Sequence, residues 1–146
     1  TWYDYFMEFA LLARRRATCI RRGVGAVIVK DRHVLATGYN GAPRGLAHAE
    51  EVGCLRAKMK VPSGERHEIC RGLHAEQNAI IQAAFHGVAI AGAAIYVTTH
   101  PCAICAKMII NAGIEKVFYI DGYADPVAQM IIEESGLPLI RLANPS

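Results

Sequence analysis

The stretch RGLHAEQNAI, residues 71–80, sets a histidine and a glutamate two positions apart at the head of AEQNAIIQAAFH, whose apolar spacing is helical. Both side chains are costly to bury alone, so a helix that opens on them needs a partner for each. Residues 98–105, TTHPCAIC, repeat the arrangement with sulfur in place of imidazole. AAIYVTT at 93–99 reads as a buried strand, and Pro101 stands where proline starts a helix. Cys102 and Cys105 then fall at the first turn of CAICAKMIINAG, for which Gly113 is a C-cap.

Outward from these two helix starts, Phe6, Phe9, Ala10 and Ala13 recur at helical spacing and predict a first helix over residues 3 to about 16. VGAVIVK at 24–30 and HVLATGY at 33–39 flank a tight polar turn and read as a hairpin. From about 41 to 72 the chain is rich in turn formers and charges and is expected to be a loop insert without a core of its own. KVFYI at 116–120 is a further strand, PVAQMIIEESG at 126–136 a helix ended by glycine, and LPLIRL at 137–142 a short last strand. The order α-β-β-α-β-α-β-α-β predicts an α/β fold. A mixed five-stranded sheet has hairpin strands 1-2 on one side, parallel strands 3-4-5 on the other, and helices on both faces.

At 146 residues the chain suits a single domain, 1–146, able to bury close to 70% of its unfolded surface without disulfides. The longest apolar run, GVAIAGAAIYV at 87–97, is too short and too glycine-rich for a membrane span. TWYDYFMEFALLARRR places acid before base, the reverse of a signal peptide, and the expected compartment is the cytoplasm. An odd count of five cysteines argues for metal binding or thiol chemistry rather than a secreted disulfide framework. The formal charge of +3 is mild, and RRRATCIRR at 14–22 has no interleaved aromatics, so a nucleic-acid partner is not expected. That cluster reads as a solvated helix end, or as a contact for a phosphorylated ligand or a neighbouring subunit.

A lone CxxC is a metal site, a redox pair or two buried thiols. Two helix starts at one edge of a sheet bring His74, Cys102 and Cys105 within reach of a single Zn²⁺, and three protein ligands leave a fourth position for water, as in catalytic sites. Glu76 then has a use as the carboxylate that moves the water's proton.

HAE followed by PCAIC matches the H-x-E and P-C-x-x-C signature of zinc deaminases. Nearly the whole chain resembles the cytidine deaminase superfamily. GYNGAPRG and the cysteine-bearing insert before HAEQNAI resemble the deoxycytidylate (dCMP) deaminase branch. The resemblance implies the three-layer cytidine deaminase-like fold and hydrolytic deamination of dCMP to dUMP with release of ammonia, in the supply of dUMP for dTMP synthesis. It makes Glu76 the proton shuttle, Ala75 a backbone donor to the ring carbonyl, Asn40 the ligand of the sugar 3′-hydroxyl, and Tyr123 an aromatic beside base and phosphate. Cys19, His48, Cys54 and Cys70 are candidates for a second, structural zinc, with His67 a rival ligand and Ala49 standing where some relatives have cysteine. The resemblance also implies activation by dCTP and inhibition by dTTP, with Mg²⁺, at subunit contacts of a hexamer or dimer. Asn40, Gly41 and Arg44 are the candidate effector residues.

Two other readings compete. One is a different zinc deaminase of the superfamily, acting on tRNA adenosine, a nucleoside or guanine. The other is a DNA-uptake accessory protein with a vestigial site, against which Glu76 counts, because a purely structural zinc has no need of that carboxylate.

Overall fold

A computed structural model of the chain describes residues 1–18, 22–62 and 71–146. Its elements are α1 (Trp2–Arg14), β1 (Gly25–Lys30), β2 (His33–Tyr39), α2 (Ala49–Val52), α3 (Leu55–Lys58), α4 (Ala75–Phe85), β3 (Ala94–Thr99), α5 (Ala103–Asn111), β4 (Lys116–Asp121), α6 (Pro126–Ser135) and β5 (Leu139–Arg141). One five-stranded sheet has the order β2-β1-β3-β4-β5. β1 runs antiparallel to both β2 and β3, while β3, β4 and β5 are parallel. The hairpin turn is Asp31–Arg32, with φ of 51° and 61°, the left-handed pair whose twist matches its flanking strands.

Strand alternation divides the core in two. Ala26, Ile28, Ile95, Val97 and Val117 face Ala75, Ala79 and Ala83 of α4 and Ile109 of α5. Their neighbours Val27, Val29, Tyr96 and Phe118 face Phe6, Met7 and Ala10 of α1. Ala106, Ala128 and Ile132 join α6 to α5. The result is the expected three-layer arrangement.

Two glycines at one end of the hairpin let helix backbones touch the sheet. A Cβ at Gly25 would lie 2.0 Å from Ala10 O, and one at Gly38 would lie 2.2 Å from Ala75 O and 2.5 Å from Ala79 N. Those contacts are with backbone and have no side chain to swing away. α1 and α4 are thus drawn onto opposite faces of the hairpin. α4 also reaches past the sheet's outer strand, where Gln82 Oε1 accepts from the N–H of Thr37 at 2.7 Å.

Three details differ from expectation. The 41–72 stretch contains two one-turn helices, α2 and α3, of four residues each, too short for hydrophobic periodicity to show. α1 ends at Arg14, short of residue 16, because the basic run that follows offers no apolar face. β5 is limited to Leu139–Arg141, since Pro138 lacks the N–H that a longer ladder would use. Among the described residues no helix is long and apolar enough to cross a membrane.

Replacing Gly38 by Ala forces α4 off β2. The expected loss is about 1–3 kcal/mol of stability, read as a lower urea midpoint, accompanied by loss of any function of the α4 first turn. A midpoint unchanged from that of the parent chain would show that the helix is free to shift.

Candidate metal centre and active site

His74 and Cys102 occupy equivalent places. Each is the N-cap of its helix with extended backbone, His74 at φ −74°, ψ 157° before α4 and Cys102 at φ −77°, ψ 172° before α5. The first-turn N–H groups beyond an N-cap have no intrahelical acceptor and favour negative charge nearby. The N–H of Cys105 uses this, donating weakly to Cys102 Sγ at 3.5 Å. Gln77 Oε1 accepts from the backbone N–H of His74 at 2.8 Å, which fixes the chain as it enters α4. H-x-x-Q has capping-box spacing, the signal by which Gln77 was open to discovery in the sequence.

His74 Nδ1 lies 3.3 Å from Cys105 Sγ and 3.4 Å from Cys102 Sγ. One N–H cannot point at two acceptors at once, whereas one ion between the three atoms satisfies all of them. Tetrahedral zinc with bonds of about 2.0–2.1 Å to nitrogen and about 2.3 Å to sulfur spaces those donors about 3.5 Å apart, in agreement with the observed distances. All three donor atoms lie within 4.8 Å of one another, and they form the one such group of three among the described residues.

The charges make the same case. Cys102 is pushed down to about 3, chiefly by the hydrogen bond from the Cys105 thiol and against the effect of burial. Cys105 is pushed up, because it holds the proton that the pair shares, and burial and the charge of Glu76 add to this. Without a cation the two sulfurs share one proton. A dication would suit the site in its place, since neutral imidazole and two thiolates cancel a charge of two.

Glu76 is 3% exposed, in the first turn of α4. Burial raises its pKa above the ordinary carboxylate value, and the Cys102 charge adds to the rise. His74, the residue's own N–H and a hydrogen bond with the Cys105 thiol oppose it. Ala75 is fully buried at the first position of α4, its N–H among the first-turn donors.

The remaining expected residues divide. Asn40 is half-buried, and its side chain is engaged with backbone: Oδ1 accepts from Val24 N at 2.8 Å and Nδ2 donates to Arg22 O at 2.6 Å. Tyr123 is 94% exposed and is not brought against the cluster. Gly41 spends both backbone groups on Leu73, donating at 3.1 Å and accepting at 2.8 Å. Arg44 places its guanidinium 4.6 Å from the ring of Phe85, at the far end of α4 from His74. His48 Nδ1 faces Thr18 Oγ1 at 2.9 Å and Ala42 N at 3.1 Å, and Cys54 is buried and free. Cys19, His67 and Cys70 lie outside the described residues, so that second ligand set is seen only in its His48 and Cys54 members. Arg22, the last residue of the 14–22 basic cluster, pairs at 3.3 Å with Asp121, and Asn78, which sequence reasoning missed, donates its Nδ2 to Tyr39 O at 2.8 Å.

The model of the cytidine and deoxycytidylate deaminase zinc-binding region matches residues 1–121. This chain belongs to that family. ComE operon protein 2 of Bacillus subtilis is 42% identical over 138 residues, covering 94% of this chain and 69% of its own. The deoxycytidylate deaminase of Schizosaccharomyces pombe is 38% identical over 146 residues, covering 99% of this chain, which thus spans 45% of that protein. Among solved structures, the dCMP deaminase of cyanophage S-TIM5 in complex with dCMP and dUMP aligns with a TM-score of 0.77 at 30% identity, over 95% of each chain.

Removal of zinc by a chelator should lower the thermal midpoint of the protein, and Cys102→Ser should lose the one equivalent of zinc that the His74–Cys102–Cys105 group would hold. An unchanged midpoint on chelation, with zinc demonstrably gone, would mean that the cluster is held by its own hydrogen bonds.

Proposed function

We propose that this chain is a dCMP deaminase, converting dCMP and water to dUMP and ammonia, and so supplying dUMP for dTMP synthesis. The observation that carries the reading is Glu76, buried two residues beyond His74 in the first turn of α4, beside a His74–Cys102–Cys105 cluster whose spacing suits zinc. A structural zinc site has no use for such a carboxylate. The likeness to a phage enzyme solved with dCMP and dUMP supports the choice of substrate.

His74, Cys102 and Cys105 would hold a zinc ion, which would supply Lewis-acid activation of water. Glu76 moves the protons: it accepts one from the attacking water, gives it to ring N3, and later assists departure of the amine from C4. Its raised pKa suits it to both directions of transfer. The Ala75 N–H donates to the ring carbonyl and fixes the base, Asn40 holds the 3′-hydroxyl, and Tyr123 lies beside base and phosphate when nucleotide is bound.

Three finer features belong to the same proposal. A second, structural zinc is held by Cys19, His48, Cys54 and Cys70, with Thr18 beside His48 as the support for that grouping. dCTP and dTTP, with Mg²⁺, regulate the enzyme through the segment bearing Asn40, Gly41 and Arg44, of which Arg44 presents exposed charge. The chain assembles as a hexamer or dimer, in the cytoplasm, where the free thiols of Cys54, Cys102 and Cys105 stay reduced.

The 42% identity to ComE operon protein 2 favours a second reading, in which the chain is an accessory protein with a vestigial site. Loss of cytosine absorbance with zinc-loaded protein, offered dCMP, deoxycytidine and dCTP side by side, separates the two. Preferential turnover of dCMP is expected, and Glu76→Ala should reduce it by about 10²–10⁴-fold while leaving bound zinc in place. No turnover of any of the three by the parent chain would favour the accessory reading. Metal analysis should also return a second equivalent of zinc that disappears in Cys54→Ser. A single equivalent in the parent chain would remove the structural zinc.

A further inference from the structure

The backbone at Tyr39–Gly41 is tied to the start of α4 by three hydrogen bonds. Gly41 and Leu73 exchange the pair at 3.1 and 2.8 Å, and Asn78 Nδ2 donates to Tyr39 O at 2.8 Å. Asn40, between the tied residues, is held from its other side as well. Its N–H donates to Val24 O at 3.3 Å, its carbonyl accepts from Thr18 N at 3.0 Å, and its amide bridges Val24 N and Arg22 O. These bonds settle which way the amide faces: Oδ1 toward a donor, Nδ2 toward an acceptor. An asparagine amide has two lone pairs on oxygen and two N–H groups, so among the described residues Asn40 keeps one of each for a ligand.

Asn78 lies one turn along the same helix from His74 and two residues beyond Glu76. Of the three ties, it alone is made by a side chain, and it joins the helix that bears the proton-handling carboxylate to the strand end that bears Asn40. We propose that Asn78 is a positioning residue for deamination. Its side-chain amide sets the span between the sugar-facing amide of Asn40 and the reacting end of the site at Glu76. The inference rests on the reading of Asn40 as the 3′-hydroxyl ligand. The groups at either end of a bound nucleotide have to match it to a fraction of an ångström, and misplacement by about 1 Å costs on the order of 10²-fold in rate.

The experiment compares dCMP with 2′,3′-dideoxycytidine monophosphate, which lacks the 3′-hydroxyl, in the zinc-loaded parent chain, Asn78→Ala and Asn78→Asp. The parent should prefer dCMP. Asn78→Ala should lose roughly 10-fold or more in kcat/KM on dCMP and little on the dideoxy substrate, because a contact absent from the substrate cannot be misplaced. Asn78→Asp keeps the volume but has no N–H to donate, and it should behave as Asn78→Ala does. Zinc content and thermal midpoint report folding of each variant, and the isosteric Asp variant decides the matter if the Ala variant does not fold. Equal losses on both substrates, or full activity in Asn78→Asp, would overturn the positioning role. Equal use of both substrates by the parent chain would overturn the Asn40 reading itself, and the proposal with it.

Discussion

Two sulfurs stand 3.3 and 3.4 Å from one imidazole nitrogen, and a carboxylate that is 3% exposed is buried in the same first turn, electrostatically coupled to them. In a medium of low polarity, two thiolates and a carboxylate at such range repel strongly, and at least one of them keeps its proton. The hydrogen bond between the two thiols lowers Cys102 and raises Cys105. A bound dication reverses this balance and leaves Glu76 as the one group with charge in surplus. The fold can be read as the means of holding those four side chains together against their own repulsion. Two helices begin at one edge of one sheet, each with its capping residue as a ligand.

The scaffold under that arrangement is stiff where the chemistry needs it. Gly38 brings the α4 backbone into contact with β2, and Gln77 and Asn78 fix the first turn from two directions. Asn40 binds the backbone of three residues, Thr18, Arg22 and Val24, through four groups, its N–H, its carbonyl and both ends of its amide. Residues expected to meet the outer parts of a nucleotide are less constrained. Tyr123 is almost wholly exposed, and Arg44 rests on Phe85, itself an exposed ring. The cluster and Glu76 are thus held at helix starts, whereas Tyr123 and Arg44 lie on loops.

Much of this was legible in the sequence. Period-3.6 patterns placed the four longer helices, each of which buries one face, and apolar β-branched runs placed the strands, of which β1 and β3 are buried on both faces. HAE and PCAIC marked the cluster, because a metal site built on helix starts leaves its ligands close together in the chain. Asn78 and Asn40 were harder. Their bonds run to backbone atoms 39 and 18 positions away, and a carbonyl acceptor leaves no imprint on residue type. The one-turn helices in the 41–72 stretch were invisible for a related reason: four residues make no repeat. Tyr123 was placed beside a nucleotide by resemblance to relatives, and its exposed position follows from local loop geometry that composition does not encode.

Gln82 adds a consequence of another kind. The outer strand of a sheet offers unpaired N–H and C=O groups to any extended segment that drifts alongside. In β2 the N–H of Thr37 is already taken by the Gln82 side chain, so α4 partly closes the open rim of the sheet as well as bearing the reactive groups. The two duties cannot be separated. A change that loosens α4 also uncovers a strand edge, and a molecule that has lost its site becomes, by the same motion, one that can recruit a neighbour's strand. Loosening of α4 at Gln82 is thus expected to lower soluble yield.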